Sequence, residues 1–403
     1  MNRWLEVLAS QRRYHDEKPL ASWLLRMLDL LLLLLPRRAA ARAGPPRRIL
    51  LMNPAYIGDV LMSTSVLPLL RRTYPNATIG FAVGSWARQV VQGHPDVSQV
   101  HVIDLFRLNR SKFGLANKLR QQWRTQRQAK REIVSLDYDV AIDLFTGFPP
   151  LSWFAWACAI PRRIGYMNRG FGALLTEPHS LLVVPGKHEV GYHVDLAVAL
   201  GAARGTGFDH PSLGVPTATA VAAAAAALGW PKLEQGPYIV IHPGSGERLR
   251  EWPVSKWREV VAALIAESRT VVFTGHGSHE AALIEQIVDG IQGPINLCGK
   301  LNWESLCALV SRANLLIGIE SMSGHLAAAW QVPTITLSTG MADPQRWKPA
   351  SQNGVSLHTA PPCLPCLNRT GCESMRCVRN VMPAQVLDAA EQHVVRRTRH
   401  EHA

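Results

Sequence analysis

Short apolar runs alternate with helix-length segments through the first half of the chain. "RILLMN" (Arg48–Asn53) leads into a glycine-containing turn, and Val60–Arg72 continues with helical spacing and a basic end. Further runs of the same kind are "TIGFAV" (78–83), "VHVI" (100–103) and "YDVAIDL" (138–144). Near-continuous apolar strands separated by helices are typical of a parallel sheet covered by helices on both faces.

A second series of the same kind follows the alanine-rich helix predicted over Thr219–Leu228 and the breaker "GWPKLEQGP". Its runs are "YIVIH" (238–242), "TVVFT" (270–274), "NLLIGI" (314–319) and "PTITLS" (333–338). The pattern therefore predicts an α/β protein with two Rossmann-like, doubly wound domains facing a central cleft. We place the domains at 47–218 and 219–385, between an N-terminal basic, leucine-rich extension (1–46) and a C-terminal helix and tail (386–403).

The turns after four of these runs contain the residues most suited to chemistry. They read "PAYIGDVLMS" after Asn53, "PGSGERLREWP" after His242, "GHGSHE" after Thr274 and "ESMSGHLAAA" after Ile319. Small residues let backbone N–H groups approach an anion, and ligands of such sheets bind beyond the carboxyl ends of the strands. We expect a phosphate-bearing ligand in the second domain, although such turns also occur as plain loop geometry.

Several nucleotide and hydrolase motifs are missing from the sequence. It has no Walker motif, no G-x-G-x-x-G after a first strand and no G-x-S-x-G elbow. These absences argue against an ATPase, a dinucleotide-dependent dehydrogenase and a serine hydrolase of the α/β type.

Composition narrows the class of protein further. With 403 residues, 47% hydrophobic and 18% charged, the chain is neither disordered nor collagen-like. No uninterrupted apolar run approaches the roughly 18 to 20 residues of a membrane-spanning helix. The net charge of +13 favours an anionic partner, which nucleic acid, a membrane surface or a phosphorylated substrate would each provide.

The leucine-rich segment Leu30–Leu35 follows other apolar residues and precedes Arg37 and Arg38. Arg26 and Asp29 interrupt the apolar stretch, so it fits a signal peptide badly and we expect a cytoplasmic protein. The pattern predicts a short amphipathic helix with a basic flank. Such a helix either lies in the interface of an anionic inner-membrane surface or packs on the protein's own core.

A second basic region runs from Arg107 to Glu132 with helical spacing. It carries nine Lys or Arg residues between Arg107 and Arg131 and no acid there, with Phe113, Leu115, Leu119 and Trp123 among the cations. Two interpretations remain open: a solvated basic helix, or a surface that binds an anionic partner.

Asp59 lies in the turn after the first predicted strand. A carboxylate there could take the proton from an attacking hydroxyl in a group-transfer reaction. It could equally be the N-cap of a helix that begins at Val60, because Asp is favoured at that position. The two roles are compatible, since capping stabilises the ionised form.

Four of the seven cysteines fall close together, at Cys363, Cys366, Cys372 and Cys377. Reduced thiols at this density suggest a structural tetrathiolate site for zinc or iron, and unligated or redox-active thiols are the alternative. Cys158, Cys298 and Cys307 lie in apolar contexts and are predicted to be core thiols.

Three ordered motifs together resemble glycosyltransferase family 9, the ADP-heptose:lipopolysaccharide heptosyltransferases. They are "NPAYIGDVLMSTSVLPLLRRTYPNATI", "IHPGSGERLREWPVSKW" and "LIGIESMSGHLAAAWQVPTITL", and the resemblance runs from Arg48 to about Val386. It implies a two-domain GT-B fold and an inverting displacement that needs no metal or other cofactor for catalysis.

The resemblance also implies roles for individual residues. Asp59 matches the catalytic base. The residues that match donor-binding positions are Ser245 and Arg250 at the diphosphate, Glu280 at the nucleoside, Leu301 against the adenine, and Glu320, Ser321 and His325 in the family's D-[ST]-G-x-x-H motif. Glu320 replaces the usual Asp and Met322 the usual Gly, which implies a differently shaped sugar pocket.

The prediction is therefore an inverting glycosyltransferase that moves heptose from ADP-heptose to a hydroxyl of the lipopolysaccharide inner core, at the inner face of the inner membrane. A related alternative is an enzyme of the same fold with another nucleotide sugar, or with a protein or other glycan as acceptor. A protein that binds nucleic acid through its basic helices is a minor alternative, because no recognised nucleic-acid module is present.

Overall fold

The chain is described by a computed structural model over residues 19–35, 44–167, 170–181, 184–363, 366 and 372–400. It divides into two units. The first comprises residues up to Pro185 together with Val190–Asp209, and the second comprises Gly186–Glu189 and the residues from His210 onward. The main division thus falls at Asp209–His210, ahead of the alanine-rich helix. The boundary predicted from the sequence pattern was 218–219, nine residues later.

The first unit is built on a parallel sheet with the order β3-β2-β1-β4-β5-β6 among its described residues. Its strands are β1 (Arg48–Asn53), β2 (Thr78–Val83), β3 (Gln99–Val102), β4 (Val140–Asp143), β5 (Arg162–Tyr166) and β6 (Glu177–His179). Register is set by buried apolar residues, for example Leu51 of β1 opposite Phe81 of β2 and Ile142 of β4. The strand order reverses between β1 and β4.

The helices of the first unit are α1 (Pro19–Leu32), α2 (Ile57–Ser63), α3 (Val66–Thr73), α4 (Arg88–Val91), α5 (Leu115–Leu136), α6 (Ser152–Ala157) and α7 (Glu189–Leu200). One face of the sheet packs on α5 and α6, where Ala129, Ile133 and Phe154 join the apolar core. Helix α7 begins at Glu189, in the second unit, and continues into the first.

The second unit repeats this plan with the strand order β12-β11-β10-β7-β8-β9. Its strands are β7 (Tyr238–His242), β8 (Thr270–Phe273), β9 (Ile295–Asn296), β10 (Leu315–Ile319), β11 (Thr334–Leu337) and β12 (Gly354–Leu357). Its strands pair in parallel within the described residues, and β7, β10 and β11 are buried along their whole lengths. Here the order reverses between β7 and β10.

The helices of the second unit are α8 (Ala218–Leu228), α9 (Val254–Ala266), α10 (Gly277–Val288), α11 (Trp303–Ser311), α12 (Met322–Ala328), α13 (Pro344–Trp347), α14 (Arg376–Arg379) and α15 (Pro383–His400). The core is anchored by Trp252 and Trp257, whose rings meet edge to face with centroids 5.1 Å apart. Val378, Val381 and Val386 pack into the same core, so the C-terminal segment belongs to this unit.

The eight strands predicted from apolar runs are confirmed with small shifts at their ends, and so is the α/β class. The single helix predicted over Val60–Arg72 is wrong. Two helices, α2 and α3, share that segment, because Pro68 has no N–H to donate to the carbonyl of Thr64 and fits only in the first turn of a new helix.

The basic stretch also differs from its predicted form. Residues 107–114 form a loop, and α5 begins only at Leu115, after Gly114. The N-terminal helix α1 packs on the short 3-10 helix Gly172–Leu174 and buries Asp29, so one of its faces lies on the protein. Within the described ranges, no helix is both long and apolar enough to span a bilayer.

Candidate active site

Asp59 lies at the carboxyl end of β1, beside the point where the strand order of the first sheet reverses. It occupies the third position of α2, and its Oδ2 accepts a hydrogen bond from the backbone N–H of Tyr56 at 3.2 Å. The prediction that Asp59 is the N-cap of a helix starting at Val60 is therefore wrong in register, since Tyr56 holds that position. The carboxylate nevertheless satisfies one N–H at the helix start and remains half-buried.

The loop that carries Asp59 is fastened by side chains from its own unit. The Asn53 amide donates to Ser63 Oγ at 2.5 Å and accepts from the N–H of Ala55 at 3.1 Å. Trp86 Nε1 donates to the carbonyl oxygen of Ala55 at 2.7 Å. These bonds tie the turn after β1 to α2 and to the segment after β2, so the Asp59 backbone is held in place.

A cation from the basic loop lies next to this turn. The guanidinium of Arg110 stacks over the Tyr56 ring at 4.0 Å from its centroid. Tyr56 is also the residue whose N–H binds Asp59. The first unit therefore combines a half-buried carboxylate with a nearby cation, an arrangement that the spacing of the sequence did not reveal.

Asp143 is a further acid at this end of the sheet, and the sequence pattern did not single it out. It ends β4 opposite Met52 of β1 and accepts hydrogen bonds from the N–H groups of Leu151 (2.6 Å) and Phe145 (3.2 Å). Burial raises its pKa to about 7, and the backbone hydrogen bonds act in the opposite direction. In the sequence Asp143 stands within an apolar run and has no feature that sets it apart. Its burial is apparent only in the folded structure.

The glycine-rich turn after β7 carries Ser245 and Arg250. Ser245 Oγ accepts from the N–H of Glu247 at 3.3 Å, and Arg250 ends the 3-10 helix Arg248–Arg250. The Nε of Arg250 is buried and has no hydrogen-bond partner within the described residues. A buried guanidinium N–H without a protein acceptor is suited to an anionic ligand.

Glu280 lies in the first turn of α10 and connects the turns after β7 and β8. Its Oε2 accepts from the N–H of His276 at 2.7 Å and lies 3.9 Å from Nε2 of His242. A Cβ on Gly244 would come within 2.5 Å of the Glu280 carboxyl carbon, so this approach requires glycine. Burial lowers the pKa of His242, and the Glu280 charge partly offsets that effect.

Leu301 follows the turn after β9 and is half-buried. The N–H of Gly299 in that turn donates to the carbonyl oxygen of Gly275 at 2.9 Å. This bond links the turns after β8 and β9, so Leu301 belongs to the same edge of the sheet as Glu280.

Glu320, Ser321 and His325 lie at the end of β10 and in α12. Glu320 is buried, and its Oε2 accepts from the N–H (3.2 Å) and the hydroxyl (2.8 Å) of Thr339, which follows β11. Ser321 is the N-cap residue, and its hydroxyl lies 3.0 Å from that of Ser323. Glu320 is thus held by the neighbouring turn.

The imidazole of His325 is buried, and its Nδ1 has no partner within the described part of the chain. Burial lowers its pKa to about 3, with a smaller contribution from nearby His188, so the ring is neutral at physiological pH. His325 does not cap the helix, since it lies in the second turn of α12 and Ser321 is the N-cap residue.

The structure thus collects the predicted donor-binding residues at the carboxyl ends of β7, β8, β9 and β10 in the second unit. Contacts between the turns connect Glu280 with Gly244 and Glu320 with Thr339. Asp59 lies at the corresponding edge of the first unit. The turn after β1 in the first sheet and the turns after β7 and β10 in the second flank the reversal of strand order, which is where ligands of doubly wound folds bind.

The four clustered cysteines line one cavity of about 200 Å³, together with Gly340 and Met341 after β11. Cys363, Cys366 and Cys372 are exposed, whereas Cys377 is buried in the core of the second unit. A hydrogen bond with Ser374 is the main cause that lowers the pKa of Cys372. The donor chemistry suits a soft metal, although no group of three or more metal-binding side chains comes together within the described residues.

All three remaining cysteines were predicted to be core thiols, and two of them are buried. Cys158 and Cys307 are buried, and burial raises the pKa of each thiol to about 12. Cys298 is half-buried beside the turn after β9.

Comparison with known proteins gives a family-level match. A family model described as glycosyltransferase family 9 (heptosyltransferase) matches residues 126–375. Lipopolysaccharide heptosyltransferase 3 of Escherichia coli K12 is 26% identical over 321 residues, which cover 74% of this chain and 84% of that protein.

Solved structures resemble the fold. The glycosyltransferase family 9 structure from Veillonella parvula matches with a TM-score of 0.72 and 20% identity, covering 89% of this chain and all of the other. The E. coli heptosyltransferase WaaC, solved with ADP, matches with a TM-score of 0.66 and 18% identity over 86% of this chain and 99% of that one. The shared architecture is GT-B.

Proposed function

Because the chain belongs to glycosyltransferase family 9, the heptosyltransferase family, we propose that it transfers heptose from ADP-heptose to a hydroxyl of the lipopolysaccharide inner core. The curated relative with 84% of its length matched is a lipopolysaccharide heptosyltransferase, which supports both the sugar and the acceptor class. A related structure that holds ADP supports an adenine nucleotide as the leaving group.

The observation that carries the donor assignment is the unpartnered guanidinium of Arg250 beside the glycine-rich turn after β7. Its Nε is buried without a hydrogen-bond acceptor within the described residues, and Ser245 lies in the same turn. A diphosphate would supply that acceptor and would be held by charge-assisted hydrogen bonds. Arg250 would then stabilise the negative charge that develops on ADP as it departs.

In the proposed reaction Asp59 is the general base. Its carboxylate takes the proton of the acceptor hydroxyl as that oxygen attacks the anomeric carbon of heptose. The bond between this carbon and the β-phosphate oxygen breaks, and ADP leaves with the electron pair. One displacement inverts the configuration at the anomeric carbon. The resident groups that perform it are side chains, and no metal or cofactor takes part in these steps.

Glu320 and Met322 bear on which sugar is bound. Glu320 is fixed by Thr339, so its carboxylate cannot swing freely to compensate for its extra methylene relative to Asp. A methylene in a pocket changes substrate preference by about 1 to 3 kcal/mol. We propose that Glu320 binds the sugar, and a donor pocket altered in this way leaves another nucleotide sugar as the second candidate.

Calorimetric titration with ADP-heptose tests the donor assignment, with ADP and GDP-mannose as comparison ligands. Arg250→Gln is expected to weaken ADP-heptose binding roughly ten- to a hundredfold, because it removes hydrogen bonds between charged partners. Arg248→Gln is the matched control, since Arg248 is exposed in the same 3-10 helix and loses the same charge.

The proposal is supported if the protein binds ADP-heptose more strongly than GDP-mannose and if Arg250→Gln, but not Arg248→Gln, weakens that binding. Equal effects of the two substitutions would show that only net charge matters and would overturn the role of Arg250. Preference for GDP-mannose would overturn the donor while leaving the family assignment in place.

We also propose that the protein works at the cytoplasmic face of the inner membrane, where the growing lipopolysaccharide core is anchored. The acceptor would then be an anionic glycolipid, and the excess of Lys and Arg over Asp and Glu (43 against 30) fits such a partner. The cysteine-lined cavity is proposed to hold a structural zinc or iron ion, with no part in the transfer.

A further inference from the structure

Helix α5 exposes large apolar side chains that a solvated helix would bury. Leu115, Leu119 and Trp123 are 60%, 43% and 59% exposed, and they are spaced four residues apart, along one side of the helix. Phe113, just before the helix, is 60% exposed. We call the side formed by Leu115, Leu119 and Trp123 the apolar stripe.

The contacts between this half of α5 and the protein are mainly polar. Gln121 Nε2 donates to Asp104 Oδ2 at 2.6 Å, and the N–H of Phe106 donates to Gln122 Oε1 at 2.7 Å. Thr125 Oγ1 accepts from the N–H of Asp104 at 3.1 Å. Amides and a hydroxyl therefore attach the helix to the loop after β3, while the apolar stripe stays in solvent.

Cations lie immediately beside the stripe. Arg120 and Arg124 follow Leu119 and Trp123 by one residue each, and Arg127 lies over the Trp123 ring at 5.0 Å. The side chains of Arg120 and Arg124 have no ion-pair partner within the described residues. From Leu115 to Arg131 the helix has no acidic residue, so every charged side chain on this part of it is positive.

A cavity of about 420 Å³ adjoins these cations. Its lining includes Phe113, Arg120 and Arg124, with the amide side chains of Asn117, Gln121 and Gln128. Two guanidinium groups one helical turn apart fit a phosphate group. The stripe and the cavity together thus offer an apolar contact beside a phosphate contact.

We infer that α5 docks on a membrane surface rich in anionic phospholipids. Leu115, Leu119 and Trp123 enter the boundary between head groups and acyl chains, and Arg120 and Arg124 bind lipid phosphates. Charge complementarity selects this partner. Nucleic acid would also bind the cations, but Leu115 and Leu119 have no flat faces on which bases stack.

This inference rests on the proposed function in one respect: a membrane-anchored acceptor explains why the enzyme would need such a surface. The geometry that carries it is independent of the donor site. Vesicle binding can therefore be measured with neither donor nor acceptor present, and its failure would be distinct from a failure of transfer.

The experiment is co-sedimentation of the full chain with vesicles of phosphatidylcholine alone or mixed with phosphatidylglycerol, at low and high salt. The wild type is expected to bind the mixed vesicles and to be released by salt. Arg120→Gln with Arg124→Gln should weaken binding roughly fivefold for each arginine. Leu119→Gln with Trp123→Gln should weaken it at least about tenfold, with unchanged thermal midpoint and unchanged binding of ADP-heptose.

Matched controls separate the site from general surface properties. Lys232→Gln with Arg269→Gln removes one exposed and one partly exposed cation from the second unit, and Phe208→Gln with Val215→Gln removes two exposed apolar side chains elsewhere. Both controls should bind vesicles like the wild type. A corresponding change at the end of α1, Leu31→Gln in the helix with Leu34→Gln in the turn after it, tests another exposed apolar surface of the first unit; the pair is called the α1 variant.

Three results would overturn the inference. The first is equal binding to neutral and anionic vesicles, or none to either. The second is that the α1 variant loses vesicle binding while both α5 variants bind vesicles like the wild type. The third is a concentration-dependent dimer, seen without vesicles, that the α5 apolar variant abolishes, because α5 would then be an interface between two copies of the chain.

Discussion

The Asp59 carboxylate serves the helix that carries it as well as the proposed chemistry. It accepts the Tyr56 N–H at the start of α2, and the ionised form, which proton abstraction requires, is also favoured at a helix start. An amide at this position would still accept the N–H bond through its oxygen but could not take a proton. The two roles can therefore be separated by a single isosteric change.

We predict that Asp59→Asn lowers kcat by about a thousandfold and leaves ADP-heptose affinity within about twofold of the wild type. Turnover is measured as heptose transfer and affinity by calorimetry. Asp96→Asn is the control, since Asp96 lies in the same unit and pairs with Arg71 at a partly exposed site. Turnover that survives in Asp59→Asn would remove this residue as the base.

Asp143 makes a prediction about pH and stability. Burial raises its pKa from 3.8 to about 7, so the folded protein keeps this proton at pH values where the unfolded chain has lost it. The contribution of Asp143 to the unfolding free energy is thus fully present below about pH 4, and it is lost as pH rises to about 7. The full loss corresponds to about 4 kcal/mol of unfolding free energy.

The measurement is denaturant unfolding of the wild type and Asp143→Asn between pH 4 and pH 8. The difference in unfolding free energy between the two should shift in favour of the variant as pH rises through this window. Comparing the two proteins cancels other titrating groups, including His325, whose lowered pKa makes the wild type less stable at acid pH. A difference that does not change with pH would contradict the assignment of a raised pKa to Asp143.

At the scale of elements, the turns after β10 and β11 are joined by Thr339 and Glu320. We predict that Thr339→Val lowers the unfolding free energy by about 1.5 to 3 kcal/mol, because it removes a hydrogen bond to a buried carboxylate. ADP-heptose affinity should fall as well, since Glu320 is no longer held.

Thr336→Val is the matched control for this prediction. Thr336 lies in β11, three residues before Thr339, and is also buried. Its hydroxyl has no partner within the described residues. Removal of this hydroxyl should leave the unfolding free energy unchanged or raise it. Equal destabilisation by both substitutions, measured by chemical denaturation, would show that packing and not the hydrogen bond is responsible.

The segment that carries Cys363, Cys366, Cys372 and Cys377 makes a prediction about metal content. Purified protein should contain about one zinc or iron per chain by elemental analysis, and Cys363→Ser with Cys366→Ser should abolish it. Cys158→Ser with Cys307→Ser is the control, because those thiols are buried in other parts of the fold. Wild-type protein without bound metal would leave the thiols as unligated groups.

Elements with a continuous apolar pattern could be predicted from the sequence, and those defined by partners could not. β1, β7 and β10 are buried along nearly their whole lengths and were visible as apolar runs. β5 (Arg162–Tyr166) and β6 (Glu177–His179) were not visible as apolar runs, because their arginines, glutamate and histidine hide the strand pattern. The break between α2 and α3 depended on one proline inside an otherwise helical pattern.

The same distinction applies to the candidate site. The turns that carry Asp59, Ser245, Glu280 and Glu320 follow predicted strands, so their position at the sheet edges could be inferred. The contacts of Arg110 with Tyr56 and of Thr339 with Glu320 join segments far apart in sequence, and no local pattern encodes them. Asp143 was missed because an acid that ends a strand resembles an ordinary surface residue until its burial is known.

At the scale of the whole molecule, each unit repeats one design in which a parallel sheet reverses its strand order and the functional candidates gather at that reversal. The first unit adds a positive, partly apolar surface on α5, and the second adds the glycine-rich turns suited to a diphosphate. This division of labour is what a transferase with an anionic glycolipid acceptor and a nucleotide-sugar donor requires.

The measurement that tests the central claim most directly is heptose transfer in a purified system. The protein is incubated with ADP-heptose and with lipopolysaccharide from a strain that lacks its gene, and the core oligosaccharide is analysed by mass spectrometry. We predict the gain of one heptosyl residue together with release of ADP, and no gain with Asp59→Asn. A core of unchanged mass in the presence of wild-type protein that binds ADP-heptose would contradict the proposed acceptor, and no binding of ADP-heptose would contradict the donor.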